Sequence, residues 1–501
     1  MYFQAIKPNQ MNKKILSLAL LVSLSGLATA QQETIEKRFK EKEAIGHFTY
    51  LASDELMGRD PARPEMALAY DYIAKYLKKY KAQPIPRADG YFQNIPFRLS
   101  QPPKTGELMM GDSKYTQGEE LLVLEGEALS GSYEVVDLGF GLEEDFAGKD
   151  VKGKVVVTNV GAPDQMSPAA LFSLGRSKTA RAQKAGAVAL VERFNIPSVP
   201  WQLVSNYLNR PTLGIDQGES SNLPYLWVKD VENTLSKGIS EGKVKNIQLN
   251  VEGKVNTQIE GKNVMAWIEG TDPELKDEYL LLSAHYDHVG VGTPDAEGDS
   301  IYNGARDNAV GTVAVMNAAK YFAKNPPKRS IILALWTAEE KGLLGSAYFA
   351  ENPLVPLNQI IYNLNIDNGG YNDTEVITVI GLGRTSSDPL ISQAVAEFGL
   401  EAIADPSPEQ GLYDRSDNVN FARKGIPAPT FSLGFRAFDD EINKYYHKPG
   451  DQVDNFDLDY AVKYWKSYIR AAELIANDPS KPKWVAGDKY EEASKALYGD
   501  Q

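Results

Sequence analysis

Short apolar runs alternate with helical patterns over the second half of the chain. The helical patterns include VGTVAVMNAAKYFAK and a long final helix of about Leu458 to Ala476. The runs have the length and the Leu, Ile and Val content of buried strands, and they are, in chain order, NVMAWIEG, EYLLLSAH, SIILALWT, QIIYNLNID, EVITVIG and APTFSLG. Because strands that alternate with helices form a helix-covered parallel sheet, we predict an α/β fold with a mixed, mostly parallel sheet.

The N-terminal part of the chain also carries regular patterns. Thr34 to Leu56 is predicted to be a helix that leads into the stretch SDELMGRD. Ala67 to Tyr80 repeats apolar residues at helical spacing, which predicts a second helix with one face in the core. Gly90 to Ser100 is predicted to be a strand.

From about Gln117 to Gly253 the pattern changes to short β-like runs with one predicted helix, Lys178 to Val191. We interpret residues 117–253 as an inserted β-rich domain between the two parts, 31–116 and 254–480, of an α/β domain. The alternative, an elaborated loop, is disfavoured because loops without structure of their own seldom exceed about 15 residues. Residues 481–501 are polar, and we predict a peripheral tail.

Residues 11–30 have the pattern of an export signal. Lys13 and Lys14 form a basic region, Ile15 to Leu27 an apolar core, and Ala28 to Ala30 a cleavage site that would leave Gln31 first. The alternative is a membrane anchor, but the apolar core is well short of the roughly 20 residues that span a bilayer. We therefore expect a periplasmic or extracellular protein that is not inserted in a membrane after cleavage.

The composition limits the chemistry further. The formal net charge of -14 and the pI of about 5.0 oppose binding of nucleic acid or of an anionic membrane, which needs clustered Lys and Arg. The 501 residues include no cysteine, which excludes disulfides and thiolate ligands. Any metal ion must therefore be held by His, Asp and Glu.

Ionisable residues follow the predicted strands where each strand ends. They are His285, Asp307, the pair Glu339 and Glu340, Asp367 and His447. Open α/β sheets place their ligands beyond the carboxyl ends of strands, and imidazole and carboxylate groups can hold two divalent ions if one carboxylate bridges them. Spacing alone leaves a solvated surface as an open alternative. Of the four histidines, His47 stands apart and is interpreted as an ordinary histidine.

Five ordered motifs resemble those of the M28 zinc aminopeptidases, in particular bacterial, secreted members. The inserted segment, with VKGKVVV and AGA, resembles the protease-associated domain of that family, and SDELMGR resembles its N-terminal signature. The five motifs are AHYDH at 284–288, GARDNAVG at 304–311, TAEEKGLLGS at 337–346, NLNID at 363–367 and YHKPGD at 446–451. The resemblance implies a zinc-exopeptidase fold.

The resemblance also implies a role for each site residue. Asp307 would bridge two Zn²⁺ ions, with His285 and Asp367 completing one site and Glu340 and His447 the other. Glu339 would be the general base that activates a water, and Asp287 would support His285. Tyr446 resembles the family tyrosine that donates to the developing oxyanion, with a packed aromatic side chain as the alternative. Relatives also lead us to expect a cis peptide bond between Asp307 and Asn308.

One position departs from the family pattern. Relatives commonly have Ser-Asp-His near the substrate pocket, whereas this chain has Asn418 in place of that histidine. The metal ligands are unaffected, and the expected change is in the pocket lining. The neighbouring Asp417 either helps to orient the pocket or is a solvated carboxylate.

The resemblance predicts a secreted dizinc exopeptidase that removes N-terminal residues from peptides with a free N-terminus. Two other enzymatic functions stay open, a carboxypeptidase and a glutaminyl cyclase, because both chemistries occur on similar folds. A third hypothesis is a peptidase-like binding protein without catalysis. Such proteins lack ligands or the base, whereas this chain contains all of them.

Overall fold

The structure is a computed structural model that describes residues 34–111, 113–218 and 221–499. The predicted export signal lies outside these residues. The described part of the chain forms two compact units: unit 1 comprises residues up to Ile95 and from Glu260 onward, and unit 2 comprises Pro96–Ile259. None of the helices in the described residues combines the length and the apolar character that crossing a membrane requires.

The helices and strands are labelled in chain order. The first part of unit 1 contains α1 (Glu41–Leu51), a 3-10 turn (Asp54–Arg59) and α2 (Met66–Lys79). The strand β1 (Phe92–Gln101) begins in unit 1 and ends in unit 2. Unit 2 continues with β2 (Gly106–Met110), β3 (Ser113–Thr116), β4 (Leu121–Glu125), β5 (Leu129–Asp137), α3 (Glu143–Phe146), β6 (Val155–Asn159), α4 (Pro168–Lys184), β7 (Ala189–Phe194), α5 (Trp201–Leu208), β8 (Thr212–Ile215), β9 (Tyr225–Lys229), α6 (Thr234–Ser240) and β10 (Asn246–Val251).

The chain then returns to unit 1 through a long strand, β11 (Val255–Ile268). The rest of unit 1 contains β12 (Tyr279–His285), β13 (Gly290–Val291), β14 (Ile301–Tyr302), α7 (Val310–Phe322), β15 (Ser330–Trp336), α8 (Leu344–Glu351), β16 (Ile360–Ile366), β17 (Val376–Ile380), α9 (Asp388–Ala396), β18 (Glu401–Ala404), α10 (Asn418–Ala422), β19 (Thr430–Leu433), α11 (Asp440–Tyr445), α12 (Leu458–Asn477) and α13 (Glu491–Tyr498).

The main sheet of unit 1 confirms the predicted α/β fold. Its strand order is β18-β17-β19-β16-β12-β15-β11-β1. Four pairs are parallel, β12 with β15, β12 with β16, β16 with β19 and β17 with β18, whereas β11 with β15 and β17 with β19 are antiparallel. All residues of β15 and β16 are buried, as expected for strands covered by helices on both faces.

The three central strands of this sheet place the polar motifs side by side. β12 lies between β15 and β16 and runs parallel to both. His285 is the last residue of β12, Asp367 directly follows β16, and Glu339 comes three residues after the end of β15. Parallel strands end at the same edge of a sheet, so these groups are brought together at the edge where α/β proteins bind ligands.

Unit 2 has its own sheet, with the order β3-β2-β10-β5-β6-β7-β9-β4. Its apolar core is formed by residues within the unit, such as Leu108, Val157, Leu226 and Leu249. Unit 2 begins at Pro96 and ends at Ile259, whereas the sequence predicted an insertion over 117–253. The difference arises because β2 and β3, which precede Gln117, pair within this sheet.

Three local predictions were wrong. The predicted helix from Lys178 to Val191 ends at Lys184, and its apolar end belongs to the buried strand β7. The predicted helix from Thr34 to Leu56 is interrupted, because residues 34–38 are helical and α1 begins only at Glu41. The tail is not peripheral, since Trp484 is buried and its indole N–H donates to the Gly425 carbonyl oxygen at 3.0 Å.

Candidate metal centre

Two groups of imidazole and carboxylate side chains meet at the sheet edge, and Asp307 belongs to both. One group is His285, Asp307 and Asp367, and the other is His288, Asp307, Glu340 and His447. Within each group, one ligand atom from every residue lies within 4.8 Å of the others. Asp307 lies in an irregular turn, Ala305–Ala309, that precedes α7, and the peptide bond to Asn308 is cis as predicted.

The two oxygens of Asp307 face different histidines. Oδ1 lies 3.3 Å from His285 Nε2, and Oδ2 lies 3.1 Å from His447 Nε2. His285 Nε2 is also 2.9 Å from Asp367 Oδ1. This is the arrangement that a carboxylate bridging two metal ions needs, because each oxygen points into a separate donor group.

The second donor group contains a histidine to which the sequence analysis assigned no role. His288 Nδ1 lies 2.8 Å from Glu340 Oε1, while Glu340 Oε2 lies 3.2 Å from His447 Nε2. His288 is fully buried and its ring packs edge-on against the ring of His447. The position of His288 in the motif AHYDH, three residues after His285, was the sequence signal that could have identified it as a site residue.

Asp287 holds the turn that carries the two adjacent glutamates. Its Oδ1 accepts the backbone N–H of Glu339 at 3.0 Å, and its Oδ2 accepts that of Glu340 at 3.2 Å. The same carboxylate lies 3.7 Å from His285 Nδ1. Asp287 therefore fixes the backbone of both glutamates. It also lies beside His285, the residue that the resemblance predicted it to support.

Burial and neighbouring charges shift the pKa values of the site residues in different directions. Burial disfavours a charged His447, but hydrogen bonds to Asp307 and Glu340 outweigh this effect and raise the pKa of His447 to about 10. Burial raises the pKa of Glu339 well above its usual range, and the carboxylates of Asp367 and Glu340 raise it further. Burial also opposes the charged forms of Asp307 and Glu340, but hydrogen bonds with the histidines outweigh it and lower the pKa values of both carboxyl groups.

A cavity opens beside this cluster. Asp307, Glu339, Glu340, Asp367 and His447 line one side of it, and apolar side chains, among them Ile380, Leu412, Phe435, Phe438 and Ile442, line another. Tyr446 also lines the cavity, with its ring stacked on His447 and its hydroxyl accepting an N–H of Arg415 at 3.4 Å. The cavity therefore combines a hydrophobic wall with the acidic and imidazole cluster.

Asn418 and Asp417 differ from what the sequence suggested. Asn418 is fully buried, and its Nδ2 donates to the Tyr413 and Ala428 carbonyl oxygens, so it ties loops together. Asp417 is not solvated: it is fully buried, accepts the Ser346 hydroxyl, and its pKa is raised to about 7 by burial. Of the two alternatives for Asp417, burial therefore excludes the solvated carboxylate. Short polar loop residues give no local signal of burial, so the sequence could not decide between the alternatives.

Comparisons with known proteins bear on the fold and on the family that the chain resembles. The family model of peptidase family M28 matches residues 263–471. Leucine aminopeptidase 2 of Arthroderma otae is 26% identical over 364 residues, which cover 66% of this chain and 65% of that protein. Leucine aminopeptidase 2 of Trichophyton rubrum is 25% identical over 338 residues, which cover 66% of this chain and 59% of that protein.

The matches thus span less than two thirds of the length of these relatives. Both are fungal, and bacterial origin stays a prediction. Among solved structures, an aminopeptidase from Aneurinibacillus sp. strain AM-1 is similar over 90% of this chain and 97% of that chain, with a TM-score of 0.55 and 20% identity. This likeness shows a shared fold.

The helix-covered α/β sheet, with a His, Asp and Glu cluster at the ends of its central strands, has the arrangement of a candidate metal centre in an α/β fold. Residues 263–471, which contain this cluster, match the family model of peptidase family M28. All five predicted ligands and Glu339 lie within this segment.

Proposed function

We propose that this protein is an exported aminopeptidase that uses two zinc ions to remove N-terminal residues from peptides. The observation that carries the proposal is that the two oxygens of Asp307 face two separate donor groups, with Glu339 in the same cavity. The donors are imidazole and carboxylate groups without thiolates, a set that suits zinc. His288 would be a further ligand or would orient Glu340.

Two divalent ions held there would supply an activated water and would polarise the scissile carbonyl. Side chains of the protein would transfer the proton and stabilise the developing negative charge. Glu339 lines the cavity beside both donor groups, where its carboxylate would accept a proton from the attacking water and pass it to the leaving amine. The Tyr446 hydroxyl lines the same cavity and can donate to the oxygen on which negative charge develops.

The apolar wall of the cavity supports a preference for a hydrophobic N-terminal residue. Ile380, Leu412, Phe435, Phe438 and Ile442 can surround an aliphatic or aromatic side chain without a buried charge to pair with it. The leucine aminopeptidase relatives are consistent with this preference. On a panel of aminoacyl p-nitroanilides, we expect Leu and Phe to be cleaved much faster than Asp or Lys.

The central test is the substitution Glu339→Gln. The amide cannot accept the proton, so we expect turnover of Leu p-nitroanilide to fall by about 10²- to 10⁴-fold while the protein still binds two metal ions, measured by inductively coupled plasma mass spectrometry. Glu351→Gln, at an exposed glutamate at the end of α8, is the control and should retain full activity. Retained turnover in Glu339→Gln would refute the assigned role.

Two measurements separate the alternatives. A glutaminyl cyclase-like enzyme is expected to hold one zinc ion, so two ions per chain argue against it. A carboxypeptidase cleaves N-blocked peptides, whereas an aminopeptidase requires the free amine. A binding protein without catalysis would cleave neither.

Export is part of the proposal and has its own test. It is supported by the signal-like pattern of residues 11–30. N-terminal sequencing of the protein recovered from the periplasm or medium should begin at Gln31. Recovery of full-length protein only from the cytoplasmic fraction would contradict it.

A further inference from the structure

Among the described residues, Arg59 is buried next to the candidate metal centre and forms no ion pair with a carboxylate. Its side chain is almost fully buried, at 1% exposure. All four hydrogen bonds that its guanidinium makes in the described part of the chain end on backbone carbonyl oxygens. This is unusual for an arginine, because a buried charge is normally paired with an opposite charge.

Three of the four carbonyl groups belong to the segments that carry the proposed ligands. Arg59 Nε donates to Tyr286 O at 2.7 Å, between His285 and Asp287. Nη1 donates to Asn303 O at 2.6 Å and Nη2 to Gly304 O at 3.0 Å, shortly before Asp307. Nη1 also contacts the carbonyl oxygen of Leu51 at the end of α1.

The backbone of Arg59 completes the link. Its carbonyl oxygen accepts the N–H of His288 at 3.2 Å, so Arg59 holds the histidine loop through both its side chain and its main chain. In the same 3-10 turn, Asp54 accepts the side-chain amide of Asn303 at 2.7 Å. One short turn, remote in sequence from the site, therefore contacts both ligand-bearing segments.

The 3-10 turn Asp54–Arg59 packs closely against the chain on either side of these segments. Gly58 has a φ of +67°, and a Cβ there would lie 2.4 Å from the Gly290 carbonyl oxygen and 2.6 Å from that of Tyr302. Only glycine tolerates both the conformation and the close approach. Burial disfavours the charged guanidinium, and the nearby carboxylates, which include those of Asp287, Asp307, Glu340 and Asp451, partly offset that cost.

We infer that Arg59 is a positioning residue for the metal centre: it holds the 285–288 loop and the 303–307 segment in register before metal binds. A planar guanidinium can reach all of these carbonyl groups at once, and a lysine ammonium on a flexible stem cannot. The inference rests on the proposed metal site but not on the proposed peptide hydrolysis.

The test is Arg59→Lys, with Arg329→Lys as the matched control. Arg329 is also fully buried in unit 1 and donates to the backbone carbonyl oxygens of Asp478, Pro479 and Ser480, but it also pairs with Glu278. We expect Arg59→Lys to weaken Co²⁺ affinity, measured by visible absorption titration, by about 10- to 100-fold. Arg329→Lys should lower the melting temperature without changing the affinity.

Hydrogen exchange gives a second readout that a general loss of stability would not reproduce. In the metal-free wild-type protein, peptides covering 286–290 and 302–306 should be protected, and Arg59→Lys should speed exchange in these peptides selectively. Unprotected exchange in the metal-free wild type would overturn the inference, as would unchanged Co²⁺ affinity in Arg59→Lys or equal weakening in Arg329→Lys.

If Arg59→Lys does not fold, the wild-type exchange measurement decides alone. Neither readout depends on peptide cleavage. Failure of the aminopeptidase proposal, seen as cleavage of N-blocked peptides only or of no peptide at all, is therefore distinguishable from failure of this inference.

Discussion

Asp307 is the residue on which the metal centre depends most, because its two oxygens serve two donor groups. Its backbone N–H and that of Arg306 donate to the carboxylate of Asp451, four residues after His447. The Arg306 side chain also pairs with Asp451 at 3.0 Å and stacks on Tyr445. The position of Asp307 is therefore set by residues that flank another ligand, and small changes in its turn should be costly.

Gly304 is the residue at which such a change is easiest to test. A Cβ there would lie 2.1 Å from the Asp307 carbonyl oxygen and 2.6 Å from the His288 ring. We expect Gly304→Ala to reduce metal affinity by at least about 10-fold, as supporting residues of metal sites do. Gly411→Ala is the control, because Gly411 has a similar φ of +62° but open space around it. Equal metal affinity in the two variants, measured by Co²⁺ titration, would contradict the steric argument.

His47 gives a pH prediction away from the site. Burial lowers its pKa below 6.5, although Glu43 opposes the shift, and its Nδ1 lies 2.5 Å from the Tyr72 hydroxyl oxygen. The folded protein then binds this proton less readily than the unfolded chain. Stability should fall as the pH drops from about 6.5 through the lowered pKa.

His47→Gln removes this titration. Urea unfolding of wild type and variant at pH 7.5, 6.5 and 5.5 should show a shallower loss of stability in the variant below pH 6.5. The other three histidines are present in both proteins, so parallel curves would show that His47 does not contribute.

At the scale of elements, the site depends on the ends of adjacent parallel strands. Asp287 follows β12 and accepts two backbone N–H groups from the turn after β15. It thus connects the histidine-bearing strand end with the glutamate-bearing one. The proposed division of roles between Glu339 and Glu340 requires that this turn keeps its conformation, since the two adjacent side chains must point in different directions.

Asp287→Asn tests this link. An asparagine can accept only one of the two N–H groups and turns its own N–H₂ toward the other, so we expect turnover to fall by about 10- to 100-fold with weaker metal binding. Asp388→Asn is the control, because Asp388 is also buried and accepts the backbone N–H groups of Gly383 and Thr385. A similar loss of activity in the control would assign the effect to general stability.

For the whole molecule, each unit has its own apolar core. The buried clusters of unit 2, such as the one around Val157 and Leu226, contain residues of unit 2 alone. The largest cluster of unit 1 packs α7 and α12 against the sheet. Separate cores favour independent folding, because most of the stabilising contacts lie within each unit.

We expect residues 96–259, expressed alone, to unfold cooperatively on heating, as followed by circular dichroism. A fragment of residues 117–253 should melt at a lower temperature or without cooperativity. It lacks β2 and β3, and with them Leu108, Met110 and Tyr115 of the core. Equal melting curves would show that residues 96–116 and 254–259 do not stabilise unit 2.

The sequence by itself determined the strands of unit 1, their parallel class and the residues that stand at their ends. Buried strands have a local apolar pattern, and the motifs that follow them are contiguous. The assignments of His285, Asp307, Glu340, Asp367 and His447 were made from those motifs, and the structure brings all five together. No long-range information was needed for these assignments, because each motif is short and contiguous in the chain.

Only the tertiary structure decided which polar residues support these ligands. Arg59 and Tyr286 are 227 positions apart in the chain, and no local pattern connects them. The burial of Asp417, the contact of His288 with Glu340, and the packing of Trp484 depend in the same way on contacts between distant segments. Local patterns record the burial of apolar runs, whereas a single polar residue has the same local appearance on the surface and beside a metal centre.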